Sequence, residues 1–306
     1  MHVYLTGATG FVGSYILREL VDRGHTARCL LRDPSSSLAA EAPGVERVPG
    51  DVSDVAALRA SLSGCDAVIH LVGIIDERPS KGITFEAIHY RGAVHVIDSA
   101  REAGVGRFIL MSANGARPDG VSGYQTTKWR AEQHLEGAGF EHWTIFRPSI
   151  LFGDPGADNM EFATRLARTL VKPFPVLPVF GDGSYRLQPV SVQETASAFV
   201  QALTNVAANG VRYCVAGHES LPYTEVIDRI ARGLGHEPKP KLPIPIPLAR
   251  PVIHALGGWG LLPISPDQFE MLLGGNTCDE AAFYRDFDVT PIPFTAENLS
   301  YLRLRT

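Results

Sequence analysis

Three glycines spaced three apart, Gly7, Gly10 and Gly13, mark the passage from a short apolar run, HVYLT, into a run of helical periodicity, FVGSYILRELVDRGH, whose helix closes at Gly24. A strand, a glycine turn and a helix in that order constrain the fold more than any other feature of the chain. A turn this tight requires residues without a Cβ, and glycine alone allows a phosphate to approach the backbone. The helix that follows offers free N–H groups and the positive end of its dipole. Gly13 lets helix and strand pack closely, as dinucleotide-binding βαβ units require. The candidate cofactor loop is therefore Gly7, Ala8, Thr9, Gly10, Phe11, Val12 and Gly13.

The pattern repeats through the first half. TARCLLR, GVERVPGD, DAVIHLVG, RFILMSA and HWTIFRPSIL read as further strands. Helical segments fall between most of them, including VAALRASLSG (capped by Ser53 or Asp54), YRGAVHVIDSAREAG and YQTTKWRAEQHLEGAG. Such alternation predicts an α/β fold with a parallel sheet, and nearly continuous apolar strands predict helices on both of its faces. The expected architecture is a Rossmann-type doubly wound sheet over residues 1–150, with a smaller substrate-side region over 151–306. Residues 187–216 are expected to return to the Rossmann core. The second half is rich in proline and glycine, above all from Pro238 to Pro266.

Several function classes are disfavoured. A net charge of −5 argues against nucleic-acid binding. Four cysteines far apart, Cys29, Cys65, Cys214 and Cys278, include no CxxC pair, so neither a disulfide framework nor a zinc site is expected. The histidines show no HxxxH spacing, and no metal site is assigned. No apolar run reaches the ~18 residues of a membrane span, and the chain enters a strand at once, leaving no room for a secretory signal. The expectation is a soluble, cytoplasmic protein whose substrate is a small molecule of unknown identity.

The second strand ends in Leu31, with Arg32 next and then Asp33, Pro34 and the serines 35–37. A guanidinium at the strand tip pairs with a 2′-phosphate, which favours NADP over NAD. Spacing from the glycines alone would pick Asp33 and NAD. Asp51, just after the third strand, reads equally as an adenine acceptor and as a loop carboxylate helping to cap the next helix. Tyr124 and Lys128 lie i, i+4 on one helix face. A phenol is a poor base at neutral pH, but a neighbouring ammonium and an oxidised nicotinamide would stabilise phenolate. Tyr124 could then exchange the proton that accompanies hydride transfer. Arg147 and Arg186 read either as anion contacts or as structural ion pairs, and His70 as a core histidine. The apolar stretch around Trp259 reads as a cover over the substrate cleft, with a partner surface or a membrane-surface patch as alternatives.

Taken in order, TGATGFVGSYILRELVDRGH, GDVSD, HLVG, YQTTK and FRPSILFGD resemble the short-chain dehydrogenase/reductase superfamily, and most of all its extended or atypical branch. FGDGSYRLQPVSVQETASAF and LLPISPDQFEMLLGGNTCD are similar to the group that contains the NADPH-binding accessory subunit of respiratory complex I and epimerase-like bacterial relatives. The resemblance implies that the 7–13 turn surrounds a pyrophosphate and that Asp51 and Val52 flank adenine. Leu71, Val72 and Gly73 would line the cofactor, Pro148 and Ile150 would touch the nicotinamide amide, and Lys128 would hold ribose hydroxyls. The family's substrate-polarising hydroxyl falls on Ala113, with Ser112 and Asn114 the nearest substitutes, and its helix asparagine falls on His89. Two functions remain open: an NAD(P)-dependent oxidoreductase or epimerase, and an NADPH-binding accessory or redox-sensing protein associated with a complex or a membrane surface. The oligomeric state stays open as well.

Overall fold

The computed structural model describes residues 1–36, 40–257 and 264–306. These form two compact units that interleave along the chain. The first comprises Met1–Pro148, Gln193–Val215 and Ala281–Val289, and the second Ser149–Val192, Ala216–Glu280 and Thr290–Thr306.

The first unit is built on a seven-stranded parallel sheet. Its strands are β1 (His2–Thr6), β2 (Thr26–Leu31), β3 (Val45–Pro49), β4 (Ala67–His70), β5 (Arg107–Met111), β6 (His142–Pro148) and β7 (Val211–Val215). They lie in the order β7-β6-β5-β4-β1-β2-β3. Strand order reverses between β1 and β4, which pair with Thr6 beside His70. In sheets of this kind, ligands bind beyond the carboxyl ends of the strands at the reversal.

The helices are α1 (Phe11–Asp22), α2 (Val55–Leu62), α3 (Gly92–Glu102), α4 (Gly123–Gly137), α5 (Val192–Gln201) and α6 (Ala281–Asp286). Asp54, rather than Ser53, caps α2, accepting from the amide of Ala57 at 3.0 Å. One face of the sheet packs Tyr4, Val68, Phe108 and Ile145 against Leu58, Val96, Ile97 and Leu135 of the helices. Elsewhere in this unit an aromatic group forms from Phe146, Phe199, Tyr213 and Phe287, with the Phe146 and Phe199 rings 4.4 Å apart. Alternating strands and helices force this layering, because each amphipathic helix must bury its apolar stripe on the sheet.

The second unit has a separate core around helix Tyr223–Gly233, where Val226, Ile227 and Ile230 meet Phe152, Val171, Leu177 and Phe294. The proline-rich stretch supplies a strand, Lys241–Ile244, paired in parallel with Leu177–Phe180, and the helices Ile246–Leu256 and Pro266–Leu273. Trp259 and Ser37 lie outside the described residues. Cys29 and Cys65 are buried free thiols. Among the described residues no helix is long and apolar enough to cross a membrane, and no group of His, Cys, Asp and Glu could hold a metal ion.

Candidate functional site

The glycine turn occupies the end of β1. Gly7 has φ of +82°, a left-handed conformation that favours glycine. A Cβ on Gly13 would sit 2.0 Å from the Gly7 carbonyl oxygen, so no other residue fits there. Gly10, at the N-cap, has no side chain to close the helix end. The amides of Phe11, Val12 and Gly13 therefore lack intrahelical acceptors. Such a cradle fits an anionic pyrophosphate. Ala8 is buried at its rim and Thr9 is exposed.

Beside the cradle, at the end of β4, Leu71 and Val72 are half-buried and Gly73 is exposed. A Cβ on Gly7 would press on Leu71 at 3.3 Å, so the two loops are in contact. On the other side of β1, Asp51 is half-buried. Its carboxylate accepts from the amide of Ser53 at 2.9 Å and its hydroxyl at 2.7 Å, closing a turn. Val52 is buried against α3, where a Cβ on Gly92 would collide with it at 2.8 Å.

Arg32 is exposed and makes no hydrogen bond or ion pair among the described residues. Asp33 accepts from the amide and hydroxyl of Ser35, at 2.9 and 2.7 Å, and these bonds hold its carboxyl below the usual range.

Tyr124 is the second residue of α4, and Ser122 caps that helix by accepting from the amide of Gln125. The Tyr124 hydroxyl makes no hydrogen bond among the described residues. Burial alone pushes this phenol up to about 12. Lys128, one turn on, is buried, and its ammonium donates to the Met111 carbonyl at 3.0 Å. Burial draws it down to about 8, opposed by the carboxylate of Glu132. Desolvation governs the phenol, and no lowering by the Lys128 charge offsets it. The Lys128 Nζ lies 3.2 Å from where a Cβ on Gly73 would stand, so the ammonium sits beside the β4 loop.

His89 joins this group, although sequence reasoning weighed it only as a replaced asparagine. It lies on a π-helical turn, Glu86–Arg91, that runs into α3. Thr127 donates its hydroxyl proton to the Gly123 carbonyl at 2.6 Å. Its oxygen lies 3.3 Å from His89 Nδ1, and His89 Nε2 lies 2.9 Å from the amide nitrogen and 3.0 Å from the carbonyl oxygen of Ile74. The ring stacks on Phe85 and meets the Tyr124 ring edge-on, at a centroid distance of 5.0 Å. Burial, followed by the charge of Lys128, holds it down to about 2, so it stays neutral. His70 is likewise neutral, drawn down to about 3. Its Nδ1 lies 2.8 Å from the Thr6 hydroxyl, while its buried Nε2 has no partner among the described residues.

The loop after β5 differs from a hydroxyl-bearing site. Ser112 donates its hydroxyl to the buried carboxylate of Glu132, which also accepts from Arg147. Arg147 is thus a structural ion-pair partner, as is Arg212, which reaches the same carboxylate. Ala113 is buried, and Asn114 is half-buried with its amide bonded to the Pro148 carbonyl at 2.9 Å. Ile150 belongs to the second unit and packs on that unit's core. Arg186, also in the second unit, donates to the hydroxyl and carbonyl of Ser220.

The NAD(P)H-binding family model matches residues 7–169. The chain is 30% identical to the ceramide reductase of Caulobacter vibrioides over 87% of its own length and 81% of that protein's. It is 25% identical to the mitochondrial 40 kDa subunit of NADH-ubiquinone oxidoreductase from Neurospora crassa, over 97% of this chain and 77% of that one. Among solved structures, MoeE5 in complex with UDP-glucuronic acid and NAD superposes with a TM-score of 0.75 at 20% identity. That superposition covers 98% of this chain and 97% of MoeE5. With its glycine cradle at the strand-order reversal, the chain belongs to the NAD(P)H-binding family, as an extended, epimerase-like short-chain dehydrogenase/reductase.

Proposed function

We propose that the protein is an NADP(H)-preferring reductase or dehydrogenase that acts at a carbonyl or alcohol carbon, with Tyr124 as the proton-transfer residue and Lys128 as its cationic neighbour. The observation that carries this reading is the placement of Tyr124 and Lys128. A phenol with no hydrogen-bond partner among the described residues and a buried ammonium share one face of α4, the ammonium beside Gly73 at the end of β4.

Bound in the glycine cradle, a reduced nicotinamide would supply the hydride. The Tyr124 phenol, protonated through neutral pH, gives its proton to the carbonyl oxygen as the alcohol forms, and solvent returns it. Lys128 holds positive charge beside the phenolate left behind and offers its remaining N–H groups to ribose hydroxyls. Gly7, Gly10 and Gly13 admit the pyrophosphate to the amides of α1. Arg32, exposed and unpaired among the described residues, supports NADP over NAD, and Asp33 is occupied by Ser35. The likeness to a ceramide reductase supports the reductase direction.

A second reading, an NADPH-binding accessory protein with little turnover, is favoured by one specific observation. The Ser112 hydroxyl is committed to Glu132, and Ala113 stands next to it. That loop then offers no free serine to polarise a substrate oxygen, a contact worth a few kcal/mol in the transition state. The likeness to a complex I subunit supports this reading, including association with a larger complex.

The two readings part in one experiment. NADPH affinity is measured by fluorescence titration, and NADPH oxidation is followed against a panel of aldehydes and ketones that includes long-chain lipid carbonyls. Turnover that falls at least ~100-fold in Tyr124→Phe, with NADPH affinity within about twofold, supports the enzyme. Turnover unchanged in that variant removes Tyr124 from the mechanism. NADPH binding without turnover on any carbonyl supports the accessory reading.

A further inference from the structure

Arg47 lies on β3, the edge strand next to β2, opposite Cys29 in the parallel register. Its side chain turns toward the loop that carries Arg32. One guanidinium nitrogen donates to two backbone carbonyls of that loop, Pro34 and Ser36, each at 3.0 Å. The other terminal nitrogen is bonded to the carboxylate of Glu41. From within the loop, Asp33 binds the amide and hydroxyl of Ser35, and its carbonyl accepts from the Ser36 amide at 3.0 Å. The segment 33–36 is thus tied at both ends, once by its own turn and once by a guanidinium from the neighbouring strand. Arg32, immediately before it, is left with no counter-ion among the described residues.

The planar fork of arginine suits this task, because fixed N–H directions lose little rotamer freedom for each hydrogen bond formed. An exposed arginine on a free loop would spread its charge over many positions, and a phosphate would have to order it on binding. Clamping the loop removes part of that cost before any ligand arrives.

We propose that Arg47 is a positioning residue for cofactor choice: it holds the 33–36 turn so that Arg32 is presented to the 2′-phosphate of NADP(H), without itself touching the cofactor. This rests on the reading of Arg32 given above. The ligand part it concerns is the 2′-phosphate alone, so NADH binding is the internal control.

The test is a double-mutant cycle on the full-length protein, with dissociation constants for NADPH and NADH measured for the parent, Arg32→Met, Arg47→Met and the double variant. The expected result is that Arg47→Met weakens NADPH about tenfold while NADH stays within about twofold. The double variant should be no weaker toward NADPH than Arg32→Met alone, because Arg47 acts through Arg32. Additive losses would mean that Arg47 contributes its own charge or contact, and would overturn the positioning role. An unchanged NADPH-to-NADH ratio in Arg47→Met overturns it as well. Equal loss of both cofactors would assign Arg47 to folding only. A parent protein that binds NADPH and NADH equally sinks the NADP preference and this inference with it.

Discussion

Lys128 provides the sharpest test of the site, because its proposed role and its contribution to stability have opposite signs. Its ammonium is buried, and its pKa falls from 10.5 to about 8. In the unfolded chain the group keeps its ordinary pKa, so between pH 8 and 10.5 the unfolded state binds more protons than the folded one. Stability then rises with pH across that window, and below pH 8 the full penalty for a buried charge is present. A shift of this size corresponds to about 3 kcal/mol. Replacing Lys128 with methionine removes the charge but also the hydrogen bond to Met111, worth about 1 kcal/mol. Lys128→Met should therefore be more stable than the parent by about 2 kcal/mol at pH 7, or about 4 °C in Tm. The gap should narrow from pH 8 upward and close by about pH 10. Urea unfolding of both proteins at pH 7 and pH 9.5, without cofactor, reads the difference directly. The same variant should bind NADPH more weakly, about tenfold, as expected where function retains a costly buried charge. A variant less stable than the parent at pH 7, with a difference that does not change with pH, would refute the argument.

Other outcomes follow from the same geometry. Gly13→Ala places a methyl group 2.0 Å from the Gly7 carbonyl; it should cost about 3 kcal/mol and abolish NAD(P)H binding in a fluorescence titration. Glu132→Ala strands Arg147 and Arg212 without their shared carboxylate and should lower unfolding stability by about 3 kcal/mol in urea. Glu132→Gln, which keeps the shape, should lose less. Tyr124→Phe removes a hydroxyl that makes no hydrogen bond among the described residues, so its Tm should stay within about 2 °C of the parent while any turnover collapses.

The α/β architecture and the cofactor cradle were legible in the chain itself. A strand, a glycine turn with a fixed spacing of three and a helix form a local unit, and its requirement for missing Cβ atoms is written in residue identity. The i, i+4 pairing of Tyr124 and Lys128 is equally local, since helix geometry alone puts them on one face. What surrounds that pair was decided by tertiary structure. His89 reaches Tyr124, Thr127 and Ile74 only because α3, α4 and the β4 loop converge. Ser112 is turned to Glu132 only because β5 and β6 set the serine and Arg147 beside the same buried carboxylate. The charge states follow for the same reason. Whether burial raises Tyr124 more than Lys128 lowers it depends on how much water remains around the pair, which is not a property of sequence spacing. Arg47 shows the limit most clearly. Fifteen positions separate it from Arg32, yet parallel pairing of β2 and β3 brings its guanidinium onto the turn beside that residue. Sequence fixes what can be local, the turn and the helix face. Long-range pairing and desolvation, which exist only once the sheet has closed, decide which of those groups are free to act.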